Sequence, residues 1–247
     1  MKYMDLHIHL QDYPKDIAPE MVKKAINLGF KKFVCVGTSP KDWEKVSDIT
    51  TQYPDFVTPA FGIHPWQVSS VESDWQQTME KYLQKFPHSL VGEIGLDNLK
   101  PEIELQKQYF SFQVEIAKKY NRPIIIHAVK SFHLFENLWK TLPKKFMFHS
   151  FSSSVEQLQK IISHGGYVSF NQSVLKKSNF ADIIKAAPEN KILLESDGPY
   201  QSLNKGEFST PLYIPELLEK IAFIKNCSQE ELSEIIYNNS MEFINVG

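Results

Sequence analysis

The sequence predicts an α/β protein built as one (β/α)8 barrel, also called a TIM barrel, over residues 1–247. The chain has 247 residues, close to the ~250 residues typical of this barrel. Short apolar runs alternate with longer amphipathic stretches, as expected of repeated βα units around a parallel sheet. From His9 in the first run to Asp197 in the eighth, the chain advances 188 residues in seven steps, about 27 per step.

Eight strands are predicted from these runs, at Tyr3–His9, Lys32–Gly37, Val57–His64, Ser89–Gly95, Pro123–His127, Lys145–Ser150, Gly166–Phe170 and Lys191–Asp197. An open doubly wound sheet is the alternative architecture, but it usually has fewer strands and a glycine-rich first turn. The turn after the first run here reads His-Leu-Gln-Asp-Tyr-Pro, without the G-x-G-x-x-G pattern. The closed barrel is therefore favoured, with its active site at the carboxyl-terminal face of the strands.

Three helices are predicted most clearly, at Glu102–Tyr120, Pro215–Lys225 and Gln229–Ile244. The first ends before a proline at position 123, because proline disfavours the helical conformation in the residue before it. Ser228 precedes the last helix, with Glu231 three residues later, which is the spacing of a capping box. We expect the segment Gln201–Pro211, after the eighth strand, to form a loop at the active face.

Composition excludes several classes of protein. A content of 42% hydrophobic and 23% charged residues excludes disordered and low-complexity chains. The net charge of −2 gives no global electrostatic reason to bind nucleic acid, although a local patch could still do so. Cys35 and Cys227 form no C-x-x-C pair, so no disulfide scaffold or thiolate zinc site is expected. No apolar stretch is long enough for a membrane span, and a cytoplasmic location is expected.

Seven ionisable side chains lie at or near the carboxyl ends of the predicted strands: His7, His9, His64, Glu93, His127, His149 and Asp197. Barrel strands are buried on both faces, so such groups are costly there unless they are paired or bound to metal. Each one alone could be a hydrogen-bonded structural residue. Together they converge on one end of the barrel, which predicts a metal site.

The number of possible ligands favours two cations. Four imidazoles and two carboxylates exceed the three protein ligands of a typical single catalytic zinc site. Two divalent cations that share a carboxylate would activate a water molecule for hydrolysis. His64 then remains free to bind an anionic substrate oxygen or to donate a proton.

The first strand is expected to place Asp5, His7 and His9 on one face, with Leu6 and Ile8 on the other, because side chains alternate along a strand. Asp5 shares the face of His9, and Glu195 shares the face of Asp197. We therefore expect these two carboxylates to orient the ligands.

Six motifs carry a resemblance to a known family: Asp5-Leu6-His7-Ile8-His9-Leu10, Gly62-Ile63-His64-Pro65, Gly92-Glu93-Ile94-Gly95-Leu96-Asp97, Ile125-Ile126-His127, Phe148-His149-Ser150-Phe151 and Glu195-Ser196-Asp197-Gly198-Pro199-Tyr200. In kind and in order they resemble those of the TatD-type deoxyribonucleases, a branch of the amidohydrolase-like metal-dependent barrel hydrolases. The resemblance spans nearly the whole chain. It implies hydrolysis of phosphodiester bonds in DNA, often by trimming single strands from the 3′ end.

The resemblance also implies roles for single residues. His7 and His9 with Asp197 would hold one metal ion, and the other would be held by the residues His127 and His149. Glu93 would bridge the two ions. Glu93 and Asp197 would orient or deprotonate the water, and His64 would contact the scissile phosphate. Imidazole-rich sites favour zinc, manganese or iron over magnesium, whereas nuclease activity in the family is usually associated with magnesium.

Two positions depart from the family pattern, and they concern the substrate. After His127 the family usually has a Ser-Arg-Asp-like run, and after Tyr200 an arginine-containing segment. This chain has Lys130 and Lys205 in those regions, which could act as point charges without the bidentate geometry of arginine. One alternative is therefore a two-metal enzyme acting on an amide, ester, lactone or aminoacyl-tRNA bond. A second is a non-enzymatic binding or scaffold protein.

Overall fold

The computed structural model describes residues 1–246. Eight parallel strands follow one another in chain order around a single sheet: β1 Tyr3–Ile8, β2 Phe30–Val36, β3 Val57–Phe61, β4 Leu90–Asp97, β5 Ile124–Val129, β6 Phe146–Phe148, β7 Tyr167–Phe170 and β8 Ile192–Leu194. Beyond β8, the amide of Asp197 donates to the carbonyl of His7 at 2.9 Å, so the end of the sheet returns to its beginning. The predicted TIM barrel is confirmed.

Eight helices accompany the strands: α1 Ile17–Asn27, α2 Pro40–Gln52, α3 Trp75–Lys85, α4 Ile103–Lys119, α5 Val155–Ser163, α6 Phe180–Ala186, α7 Ile214–Lys225 and α8 Gln229–Ile244. The three predicted helices correspond to α4, α7 and α8. The amide of Glu231 donates to the Ser228 hydroxyl at 3.1 Å, so the last helix begins at its predicted cap. Among residues 1–246, no helix is long and apolar enough to cross a membrane.

Strand β3 ends at Phe61, three residues before the predicted end at His64. The reason lies in the contacts of the next two residues. A Cβ atom on Gly62 would lie 2.5 Å from the backbone of Gly92, so only glycine allows this approach. The backbone of Ile63 bonds to a side chain of helix α4 instead of to a strand. The segment from Gly62 to His64 is therefore a connection that is held from outside the sheet.

The first strand departs from simple alternation. Its register with β2 shifts between Asp5 and Ile8. Leu6 packs in a cluster to which every strand contributes, with Phe243 of α8 among its members. Ile8 packs instead with side chains of the surrounding helices. The expectation that Leu6 and Ile8 share one face is therefore wrong, because a period of two does not continue through an irregular register.

Candidate metal centre

Glu93 lies at the centre of the ionisable cluster. Its Oε1 atom is 2.8 Å from His127 Nδ1 and 2.8 Å from His149 Nε2. Its Oε2 atom is 3.4 Å from His7 Nε2 and 3.7 Å from His9 Nε2. The carboxylate is nearly inaccessible to solvent, at 3% exposure. One buried carboxylate thus faces imidazoles from three other strands or their ends.

Asp197 joins the first-strand histidines on the opposite side of this carboxylate. Its Oδ1 atom lies 3.6 Å from His7 Nε2 and 3.6 Å from His9 Nε2. The two imidazole Nε2 atoms are 3.1 Å apart. Three donor atoms of this kind in a buried position match the ligand types and the number expected for a divalent cation.

The six predicted ligands therefore come together, and His64 joins them. Ligand atoms within 4.8 Å of one another fall into three groups: His7, Glu93 and His149; His7, His9 and Asp197; and His64, Glu93 and His127. The second group has the composition that the resemblance implies for one ion. The other two groups both contain Glu93, which fits a carboxylate shared between two cations.

Two histidines differ in how their outer nitrogen is bonded. His9 Nδ1 lies 2.8 Å from the carbonyl oxygen of Val36. A carbonyl only accepts, so Nδ1 carries the proton and the Nε2 lone pair faces the cluster. His64 Nδ1 instead accepts the amide of Trp66 at 3.2 Å. Its proton therefore resides on Nε2 when the ring is neutral, which makes His64 a donor rather than a ready ligand.

Both central carboxyl groups are held in the ionised form. Burial alone would raise the pKa of Glu93, but the imidazoles of His149, His64 and His7 lower it well below its ordinary value. Burial likewise opposes ionisation of Asp197, but the hydrogen bond with His9 and the nearby imidazoles of His7 and His149 together outweigh it, so that this pKa is also lowered. Two ionised carboxylates at a dry site suit cation binding and proton acceptance.

On the side of β3 and β4, helix α4 holds the backbone with two buried amides. Gln113 Oε1 accepts the amide of Ile63 at 2.6 Å, and its Nε2 donates to the carbonyl of the same residue at 3.2 Å. Gln106 makes the equivalent pair of bonds with the backbone of Asp97, at 2.8 and 3.2 Å. The two glutamines lie seven residues apart and so share one face of the helix. They fix the residues on either side of the ionisable cluster.

On the side of β1 and β8, buried acidic side chains hold the backbone. Asp5 Oδ1 accepts the amides of His7 at 3.2 Å and Ser196 at 3.0 Å. Glu195 Oε1 accepts the amide of Ser150 at 2.7 Å and lies 3.6 Å from His149 Nδ1. Of the two expected orienters, Glu195 thus lies beside a ligand ring, whereas Asp5 acts on the backbone.

A family model described as TatD related DNase matches residues 4–245. The chain belongs to this family. This confirms the resemblance and the predicted class of enzyme, a metal-dependent hydrolase. For a TatD-family protein, the buried cluster of imidazoles and carboxylates is the expected position of divalent cations.

Similar proteins cover nearly the whole chain. "Deoxyribonuclease Tat-D" from Schizosaccharomyces pombe is 27% identical over 94% of this chain and 88% of its own length. "Deoxyribonuclease TATDN3" from Homo sapiens is 25% identical over 97% of this chain and 93% of its own. The solved structure of YJJV, a TATD homolog from Escherichia coli, has a TM-score of 0.90 at 24% identity and covers 99% of this chain and 98% of its own. That likeness shows the fold.

Sequence reasoning in this TatD-family chain missed Asp97 as a site residue. Its Oδ2 atom accepts the indole N–H of Trp66 at 2.7 Å and lies 3.5 Å from His127 Nε2. Burial opposes ionisation, but the interactions with His127 and Trp66 lower its pKa to about 2. The signal was present, because Asp97 ends the same motif that contains Glu93.

The two lysines predicted to bind substrate lie outside the cluster. Lys130 directly follows β5 and has a left-handed φ of 50°. Lys205 lies in the loop after β8, which has no helix or strand from Gln201 to Thr210. Both side chains are exposed. Within residues 1–246 neither is bonded to a predicted ligand, so the structure does not bring them together with the six.

Proposed function

We propose that this TatD-family protein is a deoxyribonuclease that hydrolyses phosphodiester bonds, trimming single-stranded DNA from its 3′ end. The observation that carries the proposal is the convergence of six ligand side chains on the buried carboxylate of Glu93. We further propose two divalent cations, zinc, manganese or magnesium, and one domain spanning residues 1–247. A cytoplasmic location is proposed because both cysteines are free thiols, as is usual in a reducing compartment.

The proposed division of the donor atoms between the two cations is the one that the family implies. His7, His9 and Asp197 would hold one ion, His127 and His149 the other, and Glu93 would bridge them. Bound cations would supply Lewis-acid activation of a water molecule and neutralise charge on the scissile phosphate. The ionised Asp197 carboxylate then orients this water and accepts its proton, with Glu93 as the other carboxylate in reach.

His64 has a separate role in this proposal. Burial lowers its pKa, so the ring is neutral near pH 7, and the amide of Trp66 occupies Nδ1 as a donor. The Nε2–H group then points at the cluster, 3.3 Å from Glu93 Oε1. A neutral N–H donor beside the bridging carboxylate can bind a non-bridging phosphate oxygen. Lys130 and Lys205 would approach the phosphates on either side as point charges.

One observation favours the alternative, an enzyme acting on an ester, an amide or aminoacyl-tRNA. The sequence contains a single arginine, Arg122. Its guanidinium donates to the backbone carbonyls of Leu83 and Pro87, so it is not available for a phosphate. The bidentate clamp that arginine provides for phosphate therefore has no counterpart among the residues of this chain.

The deciding experiment measures metal content and hydrolysis together. Purified protein is analysed for metals and then incubated with 5′-labelled single-stranded DNA in the presence of magnesium, manganese or zinc. We expect close to two ions per chain and stepwise shortening of the labelled strand from its 3′ end. Asp197→Asn should remove this activity, and Glu234→Gln, a matched change on the exposed face of α8, should not. Intact DNA with turnover of ester substrates would replace this proposal by the alternative.

A further inference from the structure

Two large aromatic side chains stand exposed beside the buried cluster. Trp66 has 56% of its surface open to solvent, and Tyr200 has 52%. Singly exposed aromatic side chains are common, but two of them that flank one polar site offer flat surfaces to a ligand. Neither is needed as a ligand. Their positions therefore suggest contact with something that enters the site.

Trp66 flanks the cluster on the side of His64 and His127. Its ring centroid lies 5.1 Å from that of His64 and 6.4 Å from that of His127. The indole N–H is fixed by Asp97, so the ring is held in one orientation. The ammonium of Lys100 lies 4.3 Å from the ring centroid. This side of the site thus presents an anchored aromatic surface with an exposed positive charge above it.

Tyr200 flanks the cluster on the side of His9. The centroids of its ring and of the His9 ring are 5.4 Å apart, nearly at right angles. Its hydroxyl donates to Asp12 Oδ2 at 3.0 Å, and its amide donates to the carbonyl of Asp197 at 2.8 Å. Both aromatic rings are therefore anchored by hydrogen bonds and built into segments that also carry site residues.

Part of the binding energy for a DNA strand must come from contacts other than those of arginine with phosphate. The chain has a net charge of −2 and its one arginine is engaged with the backbone, so little electrostatic attraction is available. Proteins that bind single strands gain about 1–3 kcal/mol per base by stacking on aromatic side chains. Every base offers a flat face, so this mode needs no arginine and no base-specific hydrogen bond.

Building on the proposed function, we propose that Trp66 and Tyr200 are the base-stacking platforms of the site, one on each side of the scissile bond. Each ring stacks an unpaired base, so the intervening phosphodiester is held over Glu93. Lys100 would pair with the phosphate next to the base on Trp66. Substrates would then be single strands or frayed ends, since paired bases cannot leave their own stack to reach the rings without an energetic cost.

The test is a double-mutant cycle between the protein and the strand. The substrates are an oligothymidylate and two versions of it that lack the base on the 5′ or the 3′ side of the scissile bond. For the metal-loaded wild-type protein, we expect either missing base to lower kcat/KM about tenfold. Trp66→Ala should lose about tenfold on the intact strand and become insensitive to one missing base. Tyr200→Ala should become insensitive to the other.

Conservative variants separate stacking from support of the site. Trp66→Phe and Tyr200→Phe retain a ring but lose the bonds to Asp97 and Asp12, and we expect both to keep sensitivity to the missing bases. Phe223→Ala, which removes an aromatic side chain that is 85% exposed on α7, should behave as the wild type. The same pattern is expected in dissociation constants measured by fluorescence anisotropy in the Glu93→Gln background, where no strand is consumed.

The outcomes distinguish this inference from the function on which it rests. If the wild-type protein leaves every oligonucleotide intact, the proposed nuclease function fails and the platforms fail with it. A second outcome is that the wild-type protein cleaves DNA, and that each missing base lowers kcat/KM of Trp66→Ala and Tyr200→Ala as much as it lowers kcat/KM of the wild type. This outcome overturns only the stacking inference. Phenylalanine variants as impaired as the alanine variants would also overturn it.

Discussion

The two sides of the cluster are supported by different chemistry. On the α4 side, the neutral amides of Gln106 and Gln113 each donate to and accept from one backbone residue. On the β1 and β8 side, the acidic side chains of Asp5 and Glu195 accept backbone amides, and Glu195 lies 3.6 Å from the imidazole of His149. Amide side chains hold the backbone without adding a charge, whereas ionised carboxylates also change the electrostatic potential at the groups that they contact. The first side should therefore respond to substitution through geometry and the second through metal affinity and pH.

Glu93 belongs to both sides, so its substitution should have the largest effect. Glu93→Gln keeps the size of the side chain but removes the charge that faces the histidines of both groups. We expect loss of bound metal and a fall in kcat of at least about a thousandfold, since several kcal/mol of transition-state stabilisation depend on the shared cation site. Elemental analysis and DNA hydrolysis measure the two effects. Glu115→Gln on the exposed face of α4 is the control, and a Glu93→Gln protein with wild-type metal content would refute the bridging position.

Glu195 should show the next largest effect, through the metal. Glu195→Gln keeps an acceptor for the amide of Ser150 but removes the negative charge beside His149. Loss of such an outer partner usually costs about 10- to 100-fold in metal affinity. Competition with a chelator measures it. If affinity is unchanged, the carboxylate only holds the backbone, and the contrast between the two sides disappears.

The sequence was informative about the barrel and the ligands for a physical reason. Buried parallel strands must be apolar, so Glu93 and His127 are conspicuous inside such runs. The residues that support the site do not differ in this way from their neighbours in the sequence. Gln113 lies on a helix with a mixed surface, where a glutamine is ordinary, and its backbone partner, Ile63, is 50 positions away in the chain.

Irregular backbone was the other part that the sequence did not predict. Register shifts lie between Asp5 and Ile8 in β1 and between Val91 and Ile94 in β4, the stretches that contain His7 and Glu93, and a further shift lies between Tyr3 and Met4. A simple alternation of side chains cannot represent an added residue. The stretches that carry His7 and Glu93 are therefore both irregular.

On the α4 side, substitution of Gln113 should have a smaller effect than substitution of Glu195. Gln113→Leu removes both bonds to the backbone of Ile63, which lets the adjacent His64 move relative to Glu93. We expect kcat/KM for DNA to fall about tenfold, which is no more than the effect of removing one well-placed hydrogen-bond donor from an active site. The metal content should not change. Gln108→Leu, an exposed position on the same helix, is the matched control. Loss of metal in Gln113→Leu would mean that His64 serves as a ligand and not as a donor to substrate.

The smallest effect, and the one that separates the two sides most cleanly, is the pH dependence of Asp5→Asn. Burial raises the pKa of Asp5 from 3.8 to about 8, so near pH 4 the folded protein holds a neutral carboxylic acid that asparagine imitates, the unfolded chain still keeps much of its proton, and the free energy of unfolding should change by less than about 1 kcal/mol. Between pH 4 and pH 8 the folded chain binds a proton that the unfolded chain has lost, so the wild type must lose stability as pH rises through this window. The asparagine variant has no such proton. The measurement is urea denaturation of metal-free protein at intervals from pH 5 to pH 9. The free energy of unfolding of Asp5→Asn should rise relative to that of the wild type as pH increases, whereas that of Gln106→Leu should stay below the wild-type value by a constant amount. A pH-independent difference for Asp5→Asn would show that Asp5 exchanges no proton on folding, and pH would then no longer distinguish the two sides of the cluster.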